Sequence, residues 1–473
     1  MRRFPAFFFP QAILITILAS NLSPATAQVQ PTLSPELRQK IDQAVGNVLA
    51  KTGVPSASVA IVKDSKIAYL HAYGDARLEP RTPARTEMRY SIGSISKQFT
   101  ATAILLLQEQ GRLSLDDKVA KFIPDLTGAD EISIRQLLSH TSGYQDYWPQ
   151  DYVPPFMLLP ITADRILELW ARKPLDFDPG TRWQYSNTNF VIAGLIVEKA
   201  GGMPLLDFLQ QRIFDPLEMK SVTNIDQGKL SDSDAAGYMR YALGPLRPAP
   251  KEGRGWLFAA GELAMSAADL AKWDLSIIDQ KVLKPSSYKE FETEVLLKSG
   301  VGTQYGLGID VTSESGRRVL GHGGEVSGFT AQNSVFPDQH SAVVVLTNQD
   351  AVGAPEQIAR DIGPLLFAVD NPETARQLDQ ARKIFADLQQ GTIDRSLFTS
   401  NASSYFSAPA LKDFASGLAA LGTPMDFIQT RQGLRGGMLL RVYQVKFPQK
   451  TLRVWTYEMP DGKLEQYQIS AVE

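Results

Sequence analysis

Apolar residues recur at helical spacing at Leu37, Ile41, Val45 and Leu49, directly behind Ser34-Pro35-Glu36. That pattern predicts an amphipathic helix with Ser34 as its cap and Pro35 in its first turn. Two apolar runs follow, residues 56–62 and 66–73, separated by the polar turn Lys63-Asp64-Ser65, which predicts a hairpin. A helix opened by Ser94 runs through Ala101, Ile104, Leu105 and Leu107 to Gly111. Its apolar and small residues lie on most sides, which predicts burial. Residues 132–138 lead into His140-Thr141-Ser142-Gly143, and helices are predicted at 163–171, 190–200, 204–213 and 267–278. The pattern then turns to strands, at 305–311, 318–321, 330–336 and 341–346, before a closing helix at 355–367. Strands, helices and strands in that order predict an α+β domain. Its antiparallel sheet is built from both ends of the domain, with a helical lobe inserted between them.

Residues 368–372 (Ala-Val-Asp-Asn-Pro) read as a linker, after which the pattern restarts. Helices are expected at 373–390 and 410–421, and strands at 427–430, 439–447, 452–459 and 464–469. Turns are marked by Gly436-Gly437 and Pro460-Asp461-Gly462. Residues 373–473 are therefore expected to form a second, small α+β domain, within the usual size range.

Composition narrows the function classes. A hydrophobic content of 44% and a charged content of 21% place the chain among globular proteins. A net charge of -3 gives no reason to expect nucleic acid or an anionic membrane as partner. The absence of cysteine excludes disulfides, thiolate metal sites and cysteine nucleophiles. At the N-terminus, Arg2 and Arg3 precede the short apolar run Ala12-Ile13-Leu14-Ile15-Thr16-Ile17-Leu18-Ala19, and Ala25-Thr26-Ala27 follows. This is the pattern of a signal peptide, residues 1–27, cleaved before Gln28. The run is too short to span a bilayer comfortably. A periplasmic or secreted bacterial protein is expected.

Three stretches carry candidate chemistry. In Ser94-Ile95-Ser96-Lys97, helical i,i+3 spacing puts the Lys97 amine within reach of the Ser94 hydroxyl, which needs a neighbouring base to attack. The plainer alternative is a solvated helix face. In Tyr185-Ser186-Asn187, the phenol can move a proton if a nearby cation lowers its pKa, and the Asn187 amide can orient a lysine or a carbonyl. The plainer alternative is a packed turn. In His322-Gly323-Gly324, the glycines predict close approach of a ligand or a second backbone to an edge strand. The N–H of Glu325 can join that of Ser94 as a pair of oxyanion donors. Here the alternative is a hairpin corner with a surface histidine. His140 is expected to pack a turn, and Asp116-Asp117 to cap a helix. The four histidines show no metal-ligand spacing, so neither a metal nor another cofactor is expected.

Together these motifs resemble the serine hydrolases grouped with class C beta-lactamases, low-molecular-mass penicillin-binding peptidases and related esterases. The resemblance covers roughly residues 33–367. It extends to Leu137-Leu138-Ser139-His140-Thr141-Ser142-Gly143, to residues 261–270 (Gly-Glu-Leu-Ala-Met-Ser-Ala-Ala-Asp-Leu) and to Tyr305-Gly306-Leu307-Gly308. It implies a beta-lactamase/transpeptidase-like fold, an acylated Ser94, proton transfer shared by Lys97 and Tyr185 with Tyr185 as general base, and Asn187 as orienting group. His322-Gly323-Gly324 stands where beta-lactamases have Lys-Thr-Gly. A neutral histidine offers less positive charge to a substrate carboxylate, which leans toward an esterase or a D-amino-acid peptidase. The competing expectation is a catalytically weak protein that binds or senses penicillin or peptidoglycan fragments. In either case the expected partner is a small molecule or peptide. Residues 373–473 are similar, at fold level, to the cone-like nuclear-transport-factor-2 type, which carries no function by itself.

Overall fold

The computed structural model describes residues 33–148, 154–314, 316–367 and 372–472. The expected signal peptide and residues 368–371 of the expected linker lie outside the described residues.

Helix α1 (Pro35–Thr52) is capped by Ser34, whose hydroxyl accepts the Leu37 N–H at 3.2 Å, and it stops at Gly53 in the left-handed conformation. Strands β1 (Ser56–Lys63) and β2 (Lys66–Leu78) form the expected hairpin, and β3 (Arg81–Pro83) adds to β2. Asp64 and Ser65 both take positive φ, which matches the turn to the twist of the strands. The principal helices of the lobe are α2 (Ser96–Glu109), α3 (Asn187–Gly201) and α4 (Ala267–Ile278). Strands β4 (Asp310–Glu314), β5 (Arg317–Val326), β6 (Phe329–Phe336) and β7 (Ser341–Thr347) precede α5 (Ala354–Phe367).

The seven strands form one antiparallel sheet in the order β3-β2-β1-β7-β6-β5-β4. The two ends of the domain meet where β1 pairs with β7, Val59 opposite Val345. Both strands are buried on both faces, which explains their nearly unbroken apolar runs. Ala60 and Val62 of β1 face the main core with the helical lobe, while Val59 and Ile61 face a second core closed by α1 and α5. The two-residue period of a strand divides them.

Several elements depart from expectation, among them short strands such as Arg81–Pro83 and Leu263–Met265. Residues 305–309 are a loop rather than a strand, because Gly308 takes positive φ and lies against the start of α2. A Cβ there would sit 2.8 Å from the Lys97 carbonyl oxygen. Helices Pro285–Glu292 and Ser400–Tyr405 were not foreseen.

A third core lies wholly within residues 381–467. It packs α6 (Pro372–Gln389) and shorter helices on the four-stranded antiparallel sheet β8 (Asp426–Arg435), β9 (Met438–Lys446), β10 (Thr451–Glu458) and β11 (Leu464–Ala471). Among the described residues no single helix is long and apolar enough to cross a membrane.

Candidate active site

Ser94 sits in a 3-10 turn, Gly93–Ile95, that feeds directly into α2, so it stands one turn ahead of the helix rather than inside it. Two backbone contacts set the turn. Gly93 has φ +50, and a Cβ on it would lie 2.5 Å from the Glu325 backbone nitrogen. A Cβ on Gly324 would lie 1.9 Å from the Ile92 carbonyl oxygen. Only glycine at both positions lets the turn rest on β5, which brings the Ser94 and Glu325 segments together. Gly324→Ala is therefore expected to push β5 off the turn and slow acylation of Ser94 about a hundredfold, the scale of losing one oxyanion donor. The rate of covalent labelling in a folded variant checks this, and a rate equal to wild type would refute it.

Lys97 lies in the next turn, with no solvent exposure. Its Nζ contacts Ser94 Oγ at 2.9 Å, Asn187 Oδ1 at 2.8 Å and the Ala260 carbonyl oxygen at 2.8 Å. The rings of Tyr185 and Phe190 lie 4.9 and 5.4 Å from it. Burial pulls the amine pKa down to about 7, against an opposing pull from the Asp146 carboxylate. Near neutrality a substantial share of the amine is unprotonated, with a lone pair available to the serine.

Tyr185 lines the same cavity and is hydrogen-bonded to the Ser94 hydroxyl. Its pKa moves opposite to expectation. Desolvation raises it strongly; the Ser94 bond lowers it, and the Asp146 and Asp310 charges add to the rise. A lysine that is itself half neutral does not supply the cation that a phenolate needs, so Tyr185 is a neutral phenol here.

Asn187 begins α3 and joins Lys97 to a residue the motifs did not reveal. Asp146 Oδ1 accepts the Asn187 backbone N–H at 2.9 Å, and both carboxylate oxygens lie 3.3 Å from Asn187 Nδ2. Burial raises the Asp146 pKa to about 6. The Ala260 carbonyl was also missed. Its loop is pinned by buried Asp226, which accepts the Gly255 and Leu257 N–H groups, and by buried Glu262, which accepts that of Ala259.

His322 is buried rather than a surface histidine. Its Nε2 is 2.9 Å from the Tyr305 hydroxyl, and its backbone N–H donates to Asn333 Oδ1 at 3.0 Å. Desolvation holds its pKa below the ordinary value, so it is neutral near pH 7. The His140 ring lies tilted against that of Tyr185, with ring centres 4.3 Å apart, and its Nδ1 accepts the Ser186 N–H. Strand β4 pairs with β5 only as far as Gly321, which leaves residues 322–326 without a partner strand on that side.

Ser94, Tyr185, Asn187 and the His322–Glu325 stretch open onto one cavity of about 730 Å³. Its walls include Trp148, Met157, Met239, Leu257 and Val352. The charged groups in its lining are Glu325, Asp350 and Glu356; no lysine or arginine is among the described lining residues. All eight residues singled out from the sequence thus meet at or beside one cavity, with Lys97 beneath its floor.

A D-aminopeptidase of Brucella anthropi is 29% identical over 326 residues, covering 68% of this chain and 61% of that protein. The chain thus spans about three fifths of the length of that relative. The structure of a D-stereospecific amidohydrolase from Streptomyces sp. aligns with a TM-score of 0.60 at 30% identity, over 68% of this chain and 96% of that one. The octameric penicillin-binding protein homologue from Pyrococcus abyssi shares the fold, with a TM-score of 0.64 at 23% identity over 92% of this chain and 96% of its own. The Beta-lactamase family signature spans residues 40–363, and by that match the chain belongs to the beta-lactamase family.

Proposed function

We propose that the chain is an exported serine hydrolase that cleaves an amide or ester by way of an acyl-enzyme on Ser94. One observation carries the reading: a buried amine, pulled toward neutrality, lies 2.9 Å from the serine oxygen it would deprotonate. Lys97 takes the Ser94 proton as the hydroxyl attacks the carbonyl carbon. The developing oxyanion is held by the N–H groups of Ser94 and Glu325. Tyr185, a neutral phenol bonded to Ser94, passes its proton to the leaving group and is reprotonated by the Lys97 ammonium, and water then releases the acyl group. Asn187 holds the lysine in place.

The charge of the cavity supports a substrate class. With three carboxylates and a neutral His322 where a beta-lactamase has lysine, the described lining residues offer no fixed cation to a substrate carboxylate. It suits an acyl group that bears an amine and ends in an amide or ester, as in a D-amino-acid amide, and suits a penicillin poorly. The similarity to a D-aminopeptidase and a D-stereospecific amidohydrolase supports the same class. Residues 1–27 as a signal peptide and residues 373–473 as a separate α+β domain belong to this proposal.

A panel of D-amino-acid amides, short chromogenic esters and a chromogenic cephalosporin, run on the secreted chain beginning at Gln28, tests the reading. We expect kcat/KM for the best D-amino-acid amide to exceed that for the cephalosporin by about a hundredfold or more, as an unpaired buried charge dictates. Preference for the cephalosporin would overturn the substrate class. Stoichiometric acylation without turnover would favour a sensor.

A further inference from the structure

We propose that Asp146 is a positioning residue of this site: it fixes which end of the Asn187 amide faces Lys97, and its charge sets how readily the lysine gives up its proton. The inference rests on the acyl-transfer reading above.

An asparagine side chain has a donor end and an acceptor end, and the two are nearly equal in shape. Lys97 Nζ needs the acceptor end, and it finds Asn187 Oδ1 at 2.8 Å. What prevents the amide from turning over is the group behind it. Asp146 as a carboxylate can only accept: its Oδ1 takes the Asn187 backbone N–H at 2.9 Å, and both its oxygens lie 3.3 Å from the donor Asn187 Nδ2. The carboxylate is itself held by the Trp148 N–H at 3.3 Å. The chain of contacts from Asp146 through Asn187 to Lys97 to Ser94 therefore has one direction, which the carboxylate imposes.

The same carboxylate acts through its charge. Facing Lys97 are Asp146, Tyr185, His140 and His322. Around Asp146 lie Lys97, Tyr147 and Tyr185, and the charges of Asp226 and Glu252 also act on Tyr147. Asp310 faces His322 and Tyr185. Of these, Asp146 favours the ammonium form of Lys97, against the burial that disfavours it. Lys97 must be neutral to accept the serine proton, so activity rises as pH climbs through the lysine pKa. Removing the Asp146 charge lets the amine lose its proton at lower pH, and the acid limb moves down. An amine that releases its proton more readily is also a weaker base, so the plateau rate falls.

The test is the rate of Ser94 labelling by a fluorophosphonate across pH 5 to 9, in the wild-type chain and in Asp146→Asn. We expect the acid limb of D146N to move down by about one pH unit. The plateau should fall about tenfold, because an asparagine at 146 can also donate and lets the Asn187 amide turn. D146E, which keeps the charge, should keep the wild-type limb. If D146N does not fold, D146S is read by the same criterion. A slower D146N or D146S with an unshifted limb would make Asp146 a structural prop and overturn the proposal. Failure of the underlying reading looks different: the wild-type chain would then carry no label on Ser94.

Discussion

Ser94→Ala is expected to abolish turnover while leaving the fold intact. The Ser94 hydroxyl occupies the one point where the Lys97 amine, the Tyr185 phenol and the free end of β5 meet. An alanine there removes two hydrogen bonds at the cavity surface and creates no large void, so the melting temperature should change little. The chemistry loses its nucleophile. Residual hydrolysis should fall by about 10⁴-fold or more, leaving what the oxyanion donors and binding contribute alone. Mass spectrometry after fluorophosphonate treatment gives the second readout: the wild-type chain gains one adduct on Ser94 and the variant gains none. A folded variant that still acquires the adduct would put the nucleophile elsewhere.

Lys97→Ala should be nearly as damaging. It deletes the base and leaves Asn187 Oδ1 and the Ala260 carbonyl without their shared donor. A loss of about 10³-fold in kcat/KM is expected, within the range for a positioned general base. The wild-type profile should carry a matching signature. Because the amine pKa is lowered to about 7, activity rises with pH through that value as the lysine becomes neutral. Lys97→Arg should be inactive over the whole range, since a guanidinium stays protonated. Near-normal turnover in either variant would take the lysine out of the mechanism, and the phenol would be the base after all.

Much of this arrangement was legible along the chain, and the exceptions have physical causes. Ser94 and Lys97 are neighbours through helical spacing, so their meeting follows from a separation of three residues. Tyr185 and Asn187 share a turn. That one antiparallel sheet is built from both ends of the domain followed from the strands–helices–strands succession, and β1 and β7 carry the unbroken apolar runs of doubly covered strands. Asp146 was invisible because its partnership with Asn187 crosses forty-one residues of chain and is made through space. The Ala260 contact uses a main-chain oxygen, which any residue would offer. The direction of the Tyr185 shift was misjudged because desolvation depends on how much protein surrounds the hydroxyl, and a tripeptide does not report that. Residues 305–309 look like a strand by composition, yet Gly308 there answers to the crowding beside α2, and Gly306 to the Phe291 carbonyl oxygen.

The early end of β4 has a consequence for behaviour in crowded solution. Beyond Gly321 one side of β5 has no partner strand, and an uncovered strand margin ordinarily invites a second copy to zip on and propagate. Here those residues form the wall of a recess, with the nucleophile-bearing turn leaning against them. A whole sheet cannot reach in, but one thin extended chain can. The molecule thereby converts a sticking hazard into a sorting slot, and short strand-like mimics are the shapes that would jam it.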